Sequence, residues 1–217
     1  MNIFIMGAPG SGKGTFSSRI REEFNLTHVS TGDIFRSNIS QGTELGKKAA
    51  EYMEAGRLVP DELTNQMVAD YLASLPDKKN GYLLDGYPRT KAQALAFEEL
   101  TKGTDNTVDL VLFLDVPEEI LTKRITGRRS CPNCGEIYNI YFSPSKVEGF
   151  CDKCGHQLSS RADDNEESLK VRLKEYESNT APVVSYYAEQ GKVARIDANR
   201  PMAPIWADIH AILEENK

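Results

Sequence analysis

The stretch GAPGSGKGT, Gly7 to Thr15, constrains this chain more than any other: the short apolar run Asn2–Met6 enters it, and a helical pattern leaves it at Lys13. A strand feeding a glycine-rich turn that opens a helix is the context of a phosphate-binding loop. Glycines let consecutive backbone N–H groups curl round phosphate oxygens, and the helix N-terminus adds partial positive charge. Lys13 at this spacing reaches the outer phosphates. The bland alternative is a glycine-rich strand-to-helix turn, and the placed lysine argues against it. Gly14 occupies the position where Ser or Thr often follows the lysine, so Thr15 is the hydroxyl available near Mg2+.

Such a loop belongs in a parallel sheet, and the rest of the chain agrees. Further apolar runs at Tyr82–Leu84, Leu110–Val116 and Val193–Ile196, with a shorter one at Thr27–Val29, read as strands. Helical patterns lie between them at Lys13–Phe24, Glu62–Leu75, Thr90–Leu100 and Pro117–Thr126. Strands alternating with helices predict an α/β fold, a doubly wound parallel five-stranded P-loop core. At 217 residues the chain holds one sizeable core with room for insertions. Two segments break the alternation: Ser30–Val59, with helical stretches at Gly32–Ser40 and Thr43–Ala55, and Gly127–Asp164, after which helix resumes beyond DDNEE.

Hydrophobic content of 40% and charged content of 27% are those of a soluble globular chain, and no apolar run is long enough to cross a bilayer. Ile3–Met6 has no basic region before it and is too short for a secretory signal, so a cytoplasmic location is expected. A net charge of −6 disfavours a general nucleic-acid or membrane-surface binder.

All four cysteines fall between Cys131 and Cys154. CPNCG and CDKCG give two Cys-x2-Cys pairs separated by sixteen residues, the spacing of a zinc ribbon. Four thiolates close a tetrahedral shell, which makes Cys131, Cys134, Cys151 and Cys154 a structural site. Free thiols or two disulfides are the alternative, and iron is open to the same four sulfurs. A zinc ribbon carried by an NTPase core could also serve nucleic acid. Here Arg128, Arg129, Lys146, Lys153 and Arg161 are balanced by Glu136, Glu148, Asp152, Asp163 and Asp164, so no basic face results.

Asp85 ends a strand in YLLDGYPR, at the edge of the sheet where ligands bind, and is a candidate for holding hydrated Mg2+. A turn-capping role is the competing reading. Arg172 stands three after Leu169 and four before Tyr176, inside an apolar stripe, and Arg124 stands four after Ile120. Both positions disfavour a purely solvated role. Thr31 can be read as the N-cap of the helix beginning near Asp33, and Gln93 stands at capping-box spacing from Thr90.

Beyond the loop, STGDIFR (Ser30–Arg36), GRLVPDE (Gly56–Glu62), LLDGYPRTKAQ (Leu83–Gln93), RITGRRSCPNCGEIY (Arg124–Tyr138), RADDNEESLKVRL (Arg161–Leu173) and IDANRP (Ile196–Pro201) occur in this order along nearly the whole chain. Together they resemble the adenylate kinase family in its bacterial form with a long, metal-binding lid. The resemblance implies a core of 1–29, 60–126 and 165–217, a helical NMP-binding insertion at 30–59 and a zinc-binding lid at 127–164. It further implies reversible transfer of the γ-phosphoryl group of Mg-ATP to AMP, giving two ADP, by a monomer that engages these nucleotides and neither nucleic acid nor membrane. A kinase of another nucleoside monophosphate, or one using GTP, is the neighbouring alternative.

Carried over by residue, Gly10, Ser11, Gly12, Lys13, Gly14 and Thr15 would cradle the ATP phosphates. Ile137, Tyr138 and the Arg200 backbone would border the ATP adenine. Arg36 and Arg89 would grip the AMP phosphate. Gly86, Tyr87 and Pro88, the backbone of Arg57, Leu58 and Val59, and the side chains of Thr31 and Gln93 would complete the AMP site. Arg124, Arg128, Arg161 and Arg172 would reach the ATP phosphates and the transferring group, the last two also AMP. An AMP phosphate oxygen is already anionic, so the family's reaction needs no general base.

Overall fold

The computed structural model describes residues 1–74 and 80–217. In chain order the strands are β1 (Ile3–Gly7), β2 (Thr27–Ser30), β3 (Tyr82–Asp85), β4 (Leu110–Asp115), β5 (Arg128–Ser130), β6 (Ile137–Asn139) and β7 (Val193–Asp197). The helices are α1 (Lys13–Phe24), α2 (Thr31–Ser40), α3 (Glu44–Glu54), α4 (Asp61–Ser74), α5 (Lys91–Thr101), α6 (Glu118–Thr126), α7 (Glu166–Glu175), α8 (Ala181–Glu189) and α9 (Met202–Glu215). A π-helical turn, Tyr176–Thr180, joins α7 to α8. Each strand and helix expected from sequence is present within a residue or two, and Leu75, the expected end of one helix, lies outside the described residues. Helices α8 and α9 lie beyond the segments read from the sequence.

Five strands form one all-parallel sheet in the order β2-β3-β1-β4-β7. Successive side chains of a strand point to opposite faces, and β1 and β4 are apolar at every buried position, so both faces must be covered. On one face Phe4, Met6, Leu84, Val111 and Phe113 pack with Val68, Phe97, Val183 and Tyr187 from α4, α5 and α8. On the other, Ile3, Ile5, Leu83, Leu112 and Leu114 pack with Ile20, Leu121, Ile209 and Leu213 from α1, α6 and α9. Phe97 meets the rings of Phe4, Tyr82 and Tyr87 edge-on at centroid distances of 5.1, 6.2 and 5.8 Å. This is the doubly wound core expected from the alternation of strand and helix.

The chain runs to one side of β1 and later to the other, which makes the carboxyl end of β1 the topological switch point and the place for a ligand. Two excursions overhang it. In the first, the N-cap hydroxyls of Ser30 and Thr43 accept from the N–H groups of Asp33 (3.3 Å) and Gly46 (3.0 Å), opening α2 and α3. The residue capping α2 is therefore Ser30 and not Thr31. In the second, β5 and β6 pair antiparallel.

Candidate active site

Gly7 ends β1, and Gly10 and Gly12 take φ values of +86° and +102° before α1 begins. Side chains rarely adopt these angles, so the loop turns tightly here. Lys13 folds back over it, its Nζ donating to the carbonyls of Gly7 (2.7 Å) and Ala8 (3.0 Å). Burial pushes its pKa down to about 8, assisted by Arg89, Arg172 and Arg128 and opposed by Asp85. A lysine held this way is short of negative charge.

A cavity of about 680 Å³ opens above the loop. Gly10, Gly12, Lys13, Gly14 and Thr15 form its floor, and Gly86, Tyr87, Pro88, Arg89 and Leu58 form one wall. Arg36, Arg124, Arg128, Arg161 and Arg172 come in from α2, α6, β5, the segment before α7, and α7. Ile137 and Tyr138 lie on the lid side, and Ser11 is buried beneath the floor. Seven cationic side chains line this space against three carboxylates, Asp33, Asp85 and Glu175. Burial lowers the pKa of Arg161 and Arg172 to about 10 and also depresses that of Arg89. The cations are thus crowded and partly stripped of water, which a polyanion would relieve.

Two acids absent from the sequence-based site hold the arginines in place. Asp164, with a fully buried side chain, accepts from both Nε and a terminal nitrogen of Arg128, and Asp163 accepts from Arg172 at 2.8 Å. Burial raises the pKa of Asp163, but the neighbouring guanidinium groups, Arg172 first, reverse that and hold it below the usual range. Two adjacent acids between Arg161 and Arg172 were the available signal. Arg36 is similarly held by Asp33 at 2.6 Å. Arg124 instead donates to the backbone carbonyls of Ser11 (3.3 Å) and Ala198 (2.8 Å), tying the phosphate loop to the end of β7.

Asp85 ends β3 on the cavity wall, 4.0 Å from His28 Nε2, with one long bond of 3.4 Å from Ser17 Oγ. Its oxygens keep acceptor capacity for a hydrated cation, and Thr15 lies on the same floor, so the pair fits a magnesium site.

Thr31 and Gln93 are both buried. Thr31 donates to the carbonyl of Gly86 at 2.9 Å. Gln93 Oε1 accepts from Arg89 N–H at 2.7 Å and its Nε2 donates to Asp61 at 2.8 Å, while its backbone N–H is capped by Thr90 Oγ1 at 3.1 Å. The capping relation of Thr90 and Gln93 is thus half of a capping box, the glutamine side chain serving Arg89 instead. Arg57 lies over the Tyr52 ring at 5.1 Å, Val59 is in the core, and Arg200 donates to Asp197 O at 3.0 Å.

In the lid the four cysteine Sγ atoms lie within 4.8 Å of one another, with neighbouring separations of 3.4 and 3.5 Å. Four thiolates round one ion at about 2.3 Å would be about 3.8 Å apart, so the donor set fits a closed tetrahedral metal site. The two pairs are built alike: Gly135 N–H bonds to Cys131 O at 3.0 Å and Gly155 N–H to Cys151 O at 2.8 Å, both glycines at positive φ. Tyr138 turns its hydroxyl to this cluster, 3.5 Å from Cys151 Sγ and 2.8 Å from Asp152 N. Arg128 and Arg161 face the cavity, which withdraws two of the lid's cations from any nucleic-acid surface.

A doubly wound sheet with a phosphate-binding loop at its switch point, under an arginine-lined cavity, defines a P-loop protein that handles phosphoryl groups. The family model for adenylate kinase matches residues 5–192. Proteins named adenylate kinase from Archaeoglobus fulgidus (44% identical, all of both chains covered), Symbiobacterium thermophilum (48%, 96% of both chains) and Clostridioides difficile (47%, all of both chains) are similar along its length. The chain belongs to the adenylate kinase family.

Proposed function

We propose that this chain reversibly transfers the γ-phosphoryl group of Mg-ATP to AMP, giving two ADP. The observation that carries the proposal is the ring of seven cations, gathered from five separate elements and the lid, around one cavity floored by the phosphate loop. The chief difficulty of this reaction is bringing two polyanions together, and guanidinium groups offset that repulsion. An AMP phosphate oxygen attacks the γ-phosphorus, the bond to the bridging β–γ oxygen breaks, and ADP leaves with the electron pair.

In this reading Lys13 and the loop amides hold the ATP phosphates, and Arg36 and Arg89 grip AMP. Arg128, Arg161 and Arg172 stabilise equatorial charge on the transferring group. Arg124 joins them and braces the loop through Ser11. Gly86–Pro88 and the backbone of Arg57–Val59 border AMP, and Ile137, Tyr138 and Arg200 border the ATP base. Thr31 and Gln93 would meet the AMP base while engaged with Gly86 and Asp61, Thr31 through its acceptor lone pairs and Gln93 through its second amide hydrogen. Thr15 and Asp85 would hold magnesium, which supplies charge neutralisation on the phosphates. Zinc in the Cys131, Cys134, Cys151 and Cys154 site would keep the lid rigid. The segment 127–164 would swing against the core on hinges near Gly127 and Asp164, closing over ATP and excluding water.

A phosphotransfer assay across AMP, CMP, UMP and GMP, with ATP or GTP as donor, tests the proposal. ADP should form fastest from ATP and AMP. No ADP from these two in the presence of magnesium sinks the reading, and faster transfer to another acceptor reassigns the base specificity.

A further inference from the structure

The turn between α7 and α8 is wider than its neighbours: Ala181 N–H bonds to Tyr176 O, five residues back. Pro182 gives the reason, since it has no N–H to continue the ladder and its ring crowds the preceding turn. Short π-helical turns inside helices occur frequently at functional sites. Here the turn ends on Thr180, which is buried and borders the cavity.

Threonines inside helices ordinarily return the hydroxyl to the carbonyl four residues earlier. Thr64, Thr101 and Thr126 do so in this chain, at 3.1, 2.9 and 2.9 Å from Pro60, Phe97 and Thr122. Thr180 instead donates across the molecule to the backbone carbonyl of Arg89, at 2.9 Å. Arg89 lies in the connection between β3 and α5, where no helix or sheet ladder fixes the backbone. Its N–H is held by Gln93 Oε1 (2.7 Å) and its guanidinium Nε by Gly86 O (2.9 Å). The Thr180 hydroxyl completes the set by anchoring the carbonyl side.

We propose that Thr180 is a positioning residue for phosphoryl transfer: by holding the Arg89 carbonyl it fixes the guanidinium that receives the AMP phosphate. Arg172 belongs to the same continuous helical run as Thr180. The bond therefore keeps two phosphate-facing arginines from distant parts of the sequence in mutual register. The inference rests on the proposed AMP site.

The test compares Thr180→Val, which keeps the shape and loses the donor, with Thr180→Ser, which keeps the donor. Steady-state kinetics with each nucleotide varied and AMP binding by calorimetry are read alongside melting temperature. Thr180→Val should lower kcat/KM for AMP and AMP affinity about tenfold, with KM for ATP within about twofold. Thr180→Ser should stay within about twofold of the unchanged protein throughout. The inference is overturned if Thr180→Val matches the unchanged protein, if Thr180→Ser falls as far as Thr180→Val, or if both nucleotides weaken equally. An unchanged protein that makes no ADP would instead overturn the functional reading itself.

Discussion

Replacing Lys13 by Met should destroy phosphotransfer and yet make the ligand-free protein harder to melt. Burial lowers the Lys13 pKa from 10.5 to about 8, and at 1.36 kcal/mol per unit the charged ammonium destabilises the fold by about 3 kcal/mol. Its two bonds to Gly7 and Ala8 offset part of this, by about 1–2 kcal/mol once cavity water serves those carbonyls instead. The balance of about 1–2 kcal/mol corresponds to a rise of about 2–8 °C in melting temperature. Because the folded-state pKa lies below the unfolded one, the penalty is complete below about pH 8 and fades as pH rises toward 10.5. The advantage of Lys13→Met should shrink over that interval. Thermal melts from pH 7 to 10, with and without ATP, check this, and an ADP assay should show at least about a 100-fold loss. Wild-type protein should be stabilised by ATP far more than the variant. A variant that melts lower than the unchanged protein at pH 7, or whose advantage grows with pH, would refute the view of Lys13 as a destabilised cation awaiting phosphate.

Stripping metal with a chelator should remove one metal ion per chain and lower the melting temperature through residues 127–164, because that segment holds few buried apolar side chains besides its cysteines. Metal analysis with hydrogen exchange checks it, and undiminished protection of the lid after confirmed metal loss speaks against a structural site. Gly46→Ala would set a Cβ 2.2 Å from Asn38 O, between α2 and α3. A cost of about 1–3 kcal/mol confined to 30–59 is expected, with a raised KM for AMP and an unaltered KM for ATP; equal effects on both would contradict it. Phe97→Ala, at the centre of the edge-on aromatic cluster, should cost about 3–5 kcal/mol in urea unfolding, and a loss under 1 kcal/mol would show that the cluster collapses to refill the space.

The elements of this protein were readable because each is encoded locally. An apolar run flanked by turn residues marks β1 and β4 as buried strands, and the glycines before Lys13 permit the tight strand-to-helix loop that its spacing requires. The four cysteines were equally plain, since the bite of each pair is set by two intervening residues. Ser30 and Thr31 are chemically similar caps that only backbone direction separates, so sequence allows Thr31 as the cap that Ser30 in fact provides. Tyr138 was legible as a lid residue but not as a partner of Cys151, a contact across the metal knuckle.

The sequence by itself determined the strands, the phosphate loop, the two cysteine pairs and the identity of the arginines, all of which depend on neighbours a few residues apart. Tertiary structure alone decided which acid holds which arginine, that Gln93 is engaged by Arg89 and Asp61, and that Thr180 turns from its own helix to a carbonyl 91 residues away. The physical reason is one of range: periodicity and turn chemistry act along the chain, whereas a hydrogen bond between distant segments exists only after packing has brought its donor and acceptor within 3 Å.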